Sequence, residues 1–361
     1  MRLGLVVYGS LDQTSGGFRY DRKLVEYLRN NGDTVEVISV PWRSYWRTVA
    51  DGFSPGLRSR LNRPFDALIQ DELCHPTLWW VNNRLTRPKR TVALVHHVQS
   101  DEQPDGGGRL RRYIESQYLS SVDSVIATSE FTRQRVRRLA PDVSEWLVAP
   151  PAGRHEGRAI RPSAIRERAH QSPLRIVYLG NLLPRKNLLG LLAALERLTD
   201  DHNCTDWRLS VLGSQEADPA YAERIRTRLA ELGFDDRIDI LGEVSDRTVE
   251  QTLEASHVLC VPSIYEGFGM VYLEAMEYGV VPIASANGGA SEFVHDGKNG
   301  ALVDPGAAER IAHLLAEWAA DRSKLATLGL AAANTADDHP SWAETFASIR
   351  SLCAGEPAGD S

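Results

Sequence analysis

The 361-residue chain has only four cysteines, Cys74, Cys204, Cys260 and Cys353, scattered and without a CxxC pair. That argues against a disulfide framework or a structural zinc site and suits a reducing compartment. No apolar stretch approaches the ~20 residues that a membrane-spanning helix needs. The opening run Met1-Arg2-Leu3-Gly4-Leu5-Val6-Val7-Tyr8 is too short and too quickly polar for a signal peptide, so a first strand and a cytoplasmic location are expected. Solenoid-type repeats and long low-complexity tracts are also missing.

What is present suits a globular chain of two ordinary domains. The net charge of −7 conceals an asymmetry: residues 1–150 hold 21 Lys+Arg against 17 Asp+Glu (+4), and residues 151–361 hold 20 against 31 (−11). Such a difference between halves suggests that one lobe meets something acidic. Short apolar runs alternate with amphipathic stretches from end to end, the βαβα pattern of parallel sheets. In the first half, strands are expected at Leu3–Tyr8, Thr34–Val40, Ala67–Gln70, Thr91–His96, Ser124–Thr128 and Trp146–Ala149, with helices at Tyr20–Asn31, Leu110–Ser120 and Glu130–Leu139. The pattern breaks near Pro150-Pro151, and the Arg-, Pro-, Ser- and Gly-rich stretch to Pro173 contains the expected linker.

A second series follows. Its strands are Arg175–Leu179, Arg208–Leu212, Ile238–Leu241, His257–Val261, Val281–Ser285 and Ala301–Val303. Its helices are Asn187–Leu198, Tyr221–Leu232, Thr248–Ala255, Met270–Tyr278 and Ala307–Ala319. The expected division is therefore 1–160 and 161–340, with a helix in 341–361 packing back on the first lobe before a frayed tail. Two αβα lobes imply a cleft between them as the natural ligand site.

The most informative segment is Tyr265-Glu266-Gly267-Phe268-Gly269-Met270-Val271-Tyr272-Leu273-Glu274, with two carboxylates separated by seven residues. Glu266 belongs to the loop at a strand's carboxyl end, where ligands bind in open α/β sheets, and Glu274 lies on the following helix. The glycines let backbone N–H groups approach an anion at the helix N-terminus. A phosphate there, with an acid on either side to accept hydrogen bonds from hydroxyls, describes a nucleotide-sugar better than a bare nucleotide.

Further turns fall at the same edges. Gly16 and Gly17 in Ser15-Gly16-Gly17-Phe18 permit close backbone approach to a phosphate or sugar, but this is not GxGxxG, and no acid stands where an NAD ribose would need one. Gly180 and the cations of Arg185-Lys186-Asn187 form a strand–Gly–cation–helix order that suits a diphosphate whose charge grows as it leaves. His96-His97 ends a strand, where a histidine can orient a donor hydroxyl or hold an acceptor; with no third ligand recognisable, metal binding is disfavoured. Main-chain groups of Gly242-Glu243-Val244 can read a nucleobase edge, and Ser285 to Glu292 supplies another glycine-rich turn. The chain has no Asp-x-Asp to hold a divalent ion on a diphosphate.

The Glu-x7-Glu segment, the Gly180…Arg185-Lys186-Asn187 turn, the Ser-Gly-Gly loop and the Gly288-Gly289-x2-Glu292 stretch together resemble the retaining glycosyltransferases of family four. The resemblance covers almost the whole chain, more loosely in the first lobe. It implies the α/β GT-B architecture: two Rossmann-like αβα domains facing each other across a deep cleft, the N-terminal one for acceptor and the C-terminal one for donor. It also implies that Glu266 contacts donor-sugar hydroxyls, Glu274 binds the ribose, and Gly269, Met270 and Val271 offer N–H groups to the diphosphate, with Gly267 and Phe268 in the same element. Arg185 and Lys186 would neutralise the leaving phosphate, Gly16 and Gly17 would close on it, and His96 matches the family's histidine, with His97 as an acceptor contact. The family needs no metal or other cofactor and retains anomeric configuration, the departing phosphate accepting the acceptor's proton. The competing readings are a GT-B relative such as an epimerase, and a nucleotide-sugar-binding partner or regulator without turnover.

The expected acceptor is a sugar, a lipid or a small molecule. Pro41-Trp42-Arg43-Ser44-Tyr45-Trp46-Arg47, followed by Arg58, Arg60, Arg63, Arg111, Arg112 and the arginines of 133–138, suits peripheral contact with an anionic membrane. Nucleic acid is not expected, since no binding-module signature accompanies the basic residues.

Overall fold

The computed structural model describes residues 1–13, 15–102, 108–154 and 160–356. Part of the expected linker (155–159) and most of the expected tail (357–361) lie outside these. The twelve expected strands form, with ends shifted by a residue or so, and divide into two compact units: Met1–Pro151 with Pro340–Ser361, and Ala152–His339. The division falls before the 160/161 boundary taken from composition. Gly153 already packs so closely on Glu277 that a Cβ there would lie 2.0 Å from its Oε1, and the Arg154 amide donates to Glu277 Oε2 at 3.0 Å.

The first unit holds β1 (Arg2–Tyr8), β2 (Thr34–Val40), β3 (Ala67–Asp71), β4 (Thr91–Val95), β5 (Ser124–Ala127) and β6 (Glu145–Val148). They pair all-parallel in the order β2-β1-β3-β4-β5-β6. β3 and β4 are buried along their whole length, as strands covered on both faces must be. The helix after β1 runs Gly16–Asn30, starting four residues before the expected Tyr20. Its glycines are poor helix formers, but Ser15 caps the end by accepting from the Phe18 amide at 3.4 Å. The helix Trp342–Ala354 belongs to this unit: Trp342 and Phe346 pack edge-on to Tyr20, Thr345 donates to the Pro150 carbonyl at 2.9 Å, and Arg350 reaches Asp33 at 2.7 Å.

The second unit holds β7 (Leu174–Leu179), β8 (Trp207–Leu212), β9 (Ile238–Gly242), β10 (Val258–Val261), β11 (Val281–Ser285) and β12 (Ala301–Val303), ordered β12-β11-β10-β7-β8-β9 and again all parallel. Two of its helices were not expected. Pro162–Ala169 lies in the presumed linker, where Pro162 takes the first helical turn, a place that needs no N–H donor. The side chain of Arg168 secures it by donating to the carbonyls of Glu254, Tyr278 and Gly279. Arg322–Asp337 is built largely from alanine and other small residues, so its two faces differ too little in polarity to show a period. Small side chains are what its place demands: a Cβ on Gly329 would lie 2.7 Å from the Gly279 carbonyl oxygen. Among the described residues no helix is long and apolar enough to cross a membrane.

Candidate active site

In the second unit the turns at the carboxyl ends of β7 and β10 are tied together. Past β7 the chain runs through Gly180 (φ +156°), whose carbonyl oxygen would be 2.0 Å from a Cβ on Gly213, into the tight turn Pro184–Lys186. Asn187 then takes a left-handed conformation (φ 54°) and caps the helix Leu188–Asp200 through its Oδ1. Its side-chain Nδ2 donates to the Pro262 carbonyl at 3.1 Å, and the Ile264 amide donates to the Arg185 carbonyl at 2.7 Å. Residues far apart in sequence thus form one constellation.

Within it, Lys186, almost fully buried, makes a short ion pair with Glu266 Oε2; Ser263 Oγ donates to the same oxygen at 3.2 Å, and Arg185 lies 4.0 Å from Oε1. Burial pushes the Glu266 carboxyl upward, but Lys186 first, then Arg185 and Ser263, more than offset it, so Glu266 titrates below the usual glutamate range. The loop is pinned on its other side: the Glu266 amide donates to Asn287 at 3.2 Å, the Gly289 amide reaches the Gly267 carbonyl at 3.1 Å, and a Cβ on Gly288 would meet the Glu266 carbonyl oxygen at 2.5 Å. The Ser285–Glu292 turn therefore supports Glu266 from behind.

Gly269 (φ +91°) turns the chain into the helix Met270–Met276, and no side chain caps the amides that begin it. An alanine there would be strained in backbone and would press on Tyr272 Cδ2 at 2.5 Å. Phe268 stacks on Phe293 (4.9 Å), so its side chain serves the core. Glu274 is buried, and Arg154 donates to its Oε2 at 3.2 Å while also pairing with Asp246. Val244 sits half-buried just beyond β9.

In the first unit, a Cβ on Gly17 would lie 3.2 Å from His96 Cδ2, so glycine lets the helix start lie against the imidazole. His96 points Nε2 at Asp21 Oδ1 (3.3 Å) and Asp71 Oδ2 (3.8 Å); Glu72 accepts from the His96 amide at 3.1 Å and lies 3.3 Å from His97 Nδ1. The three acids are buried. Sequence reasoning saw no third ligand-type group near the two histidines, yet ligand atoms of Asp21, Asp71 and His96 all lie within 4.8 Å of one another. Asp71-Glu72 ends β3 at the carboxyl edge, so the rule that singled out His96 would have found it. Asp21, interior to a helix, and Arg154, in an irregular stretch, carry no such signal.

Two all-parallel six-stranded sheets, each with its polar turns at the strands' carboxyl ends, define a protein of GT-B fold. The chain matches the family described as glycosyl transferases group 1 over residues 162–335 and the glycosyl transferase 4-like domain over residues 12–152. A D-inositol 3-phosphate glycosyltransferase of Xylanimonas cellulosilytica is 30% identical over 303 residues, 77% of this chain and 70% of that protein. Among solved structures, sucrose-phosphate synthase from Thermosynechococcus elongatus superposes with a TM-score of 0.80 at 20% identity, covering 97% of this chain and 98% of that one. The Anabaena protein HepE, solved in complex with UDP-glucose, gives 0.77 at 18% identity, covering 98% and 100%. The chain spans about two thirds of the length of the curated relatives it matches. It belongs to the group 1 glycosyltransferases of family four.

Proposed function

We propose that the chain moves a sugar from a nucleotide-diphosphate sugar to an acceptor hydroxyl, retaining anomeric configuration and needing no metal on the diphosphate. The reading rests above all on Glu266, a largely enclosed carboxylate kept ionised by Lys186 beside Arg185. An ionised carboxylate is a pure acceptor and suits sugar hydroxyls. Lys186 has three donors, so it can keep Glu266 and still meet a phosphate oxygen, and Arg185 adds a second cation where leaving-group charge develops. In the step proposed, the bond from the anomeric carbon to the phosphate oxygen breaks, the acceptor oxygen bonds the same carbon on the same face, and the acceptor's proton passes to the departing phosphate. Glu274 would hold the ribose, its orientation set by Arg154. The Anabaena fold neighbour solved with UDP-glucose supports this choice of donor class.

A thermal-shift panel of UDP-, GDP- and ADP-sugars tests it. One donor at 100 times its Kd should raise stability by about 2.7 kcal/mol, and transfer with that donor should survive EDTA. No shift with any nucleotide-sugar, together with no release of nucleoside diphosphate, would sink the reading.

We also propose that the first unit meets an anionic lipid surface, which would make a membrane-borne acceptor accessible. Trp42, Trp46, Phe53, Leu110 and Tyr113 are all more than half exposed. Arg47, Arg58, Arg60 and Arg112 are exposed among them in sequence. The arginines of 133–138 contribute less to this than their number suggests: Arg133 pairs with Glu130, and Arg135 and Arg137 lie over Phe131 and Trp146. Co-sedimentation with anionic vesicles at low salt, weakened at high salt and in Trp42→Ala/Trp46→Ala, is the expected result. Absence of binding at low salt would overturn it. The four unpaired cysteines suit a reducing, cytoplasmic setting.

A further inference from the structure

The acids behind His96 leave an incomplete hydrogen-bond pattern if all are taken as ionised. Asp71 Oδ1 accepts from the Leu73 amide at 2.8 Å. Asp21 Oδ1 faces His96 Nε2 at 3.3 Å. Asp21 Oδ2 is buried and receives no donor, although the side chain is wholly enclosed. An orphaned carboxylate oxygen in that position costs the full desolvation of the group. Arg22, next along the helix, gives its guanidinium to the carbonyls of Leu11 and Gln13.

We propose that Asp71 carries a proton on Oδ2 and donates it to Asp21 Oδ2, that Asp21 accepts His96 Nε2–H on Oδ1, and that these two acids are positioning residues fixing the His96 tautomer with Nδ1 unprotonated. Each buried oxygen then has a partner, and the pair holds one negative charge instead of two. Asp71 is the protonated member because its other oxygen is already taken by an amide, and because Asp21 is the acid nearer the imidazole. Burial raises both carboxyls, Asp71 further because the Asp21 charge faces it, and burial pushes His96 down to about 4, so the imidazole stays neutral. The other titratable groups around the pair are Glu72, which takes the His96 amide, His97 beyond it, and Tyr20, Cys74 and Tyr118, whose raised values keep them uncharged. Main-chain, Gly17 and Tyr20 contacts fix the position of the ring. Which nitrogen bears the proton is the remaining freedom, and Nδ1 has no partner among the described residues. Resting on the transferase reading, this makes His96 an acceptor for a donor-sugar hydroxyl, unable to donate to a sugar oxygen.

The test begins without substrate, which separates its failure from that of the transferase reading. Long-range ¹H–¹⁵N spectra of histidine-labelled protein, with His96 assigned by its own substitution, should show the Nε2–H tautomer at neutral pH. Asp71→Asn should preserve it, because the amide donates to Asp21 as the protonated acid does; Asp71→Ala, which leaves Asp21 Oδ2 without a donor, and Asp21→Ala, which removes the acceptor of Nε2–H, should lose it. Stability supplies a second readout. An acid with a raised folded pKa keeps a proton that the unfolded chain has released, so stability falls as pH rises from the unfolded value to the folded one, by up to tenfold in the unfolding constant per pH unit. Asp71→Asn should flatten that slope. If transfer is established, Asp71→Asn should stay near wild-type, and Asp71→Ala should lose about 100-fold in kcat, the size of one lost preorganised hydrogen bond, because the ring then presents the wrong nitrogen. An Nδ1–H tautomer, an imidazolium at neutral pH, or Asp71→Asn behaving as Asp71→Ala would overturn the proposal. So would Zn²⁺ or Mn²⁺ raising the Tm of wild-type but not of Asp71→Asn, since a cation would then balance the charge.

Discussion

Lys186→Ala should lower kcat for sugar transfer by about 100- to 1,000-fold, the cost of removing one preorganised charge from a developing oxyanion, while donor affinity changes much less. Lys186 is the group that opposes burial most strongly at Glu266, and Arg185, at 4.0 Å, and the Ser263 hydroxyl would remain. The variant should therefore also show a changed pH profile. In the wild type Glu266 is held below the usual range, so acidification should leave it ionised until that range has been passed. Without Lys186 the burial effect dominates and the carboxyl moves upward, so residual activity should fall at a higher pH. Rates measured across pH for both proteins, with thermal melts to confirm folding, check this. A loss below about tenfold with an unchanged profile would remove Lys186 and Glu266 from the reacting centre.

Glu274→Ala should weaken nucleotide binding by one to two orders of magnitude, the effect of losing charge-assisted hydrogen bonds worth about 1.5–3 kcal/mol. It should also destabilise the second unit. Arg154 is mostly buried, and its other carboxylate partner, Asp246, is largely exposed. Asp246 would still pair with Arg154, so the cost should stay below the roughly 3–5 kcal/mol of a buried charge left wholly uncompensated. Glu274→Gln separates the two effects: it keeps an acceptor for Arg154 and for a hydroxyl, so it should bind and fold better than the alanine variant. Calorimetry with the nucleoside diphosphate, alongside urea unfolding, measures both. Wild-type affinity in a folded Glu274→Ala protein would show that this carboxylate does not hold the nucleotide.

Much of the architecture was legible in the chain itself. The central strands read as apolar runs bounded by turn residues, because a strand covered on both faces admits little else. Among the helices that went unseen, Arg322–Asp337 has too little polarity contrast between its faces, Pro162–Ala169 lies where the chain looks irregular, and Tyr45–Asp51, Pro55–Leu61 and His75–Val81 are only seven residues each, too short to establish a period. Glu266, Glu274, Arg185, Lys186 and His96 could be singled out because each follows a strand's carboxyl end or opens the next helix, which is a local property.

What meets what is not local. β7 lies between β10 and β8, and this order, set by long crossovers and by which faces must be buried, brings the turn at Lys186 to the loop at Glu266, eighty residues on. The same holds for Arg154 with Glu274, and for Asp21 and Asp71 with His96. The sequence by itself determined the elements, the family and the acid pair, since periodicity and turn chemistry act over a few residues. Only the tertiary structure decided that Glu266 is ionised by a lysine, that Glu274 is held by an arginine, and that two buried acids stand behind the histidine. Charges and hydrogen bonds depend on distance and burial in space, which spacing along the chain does not encode.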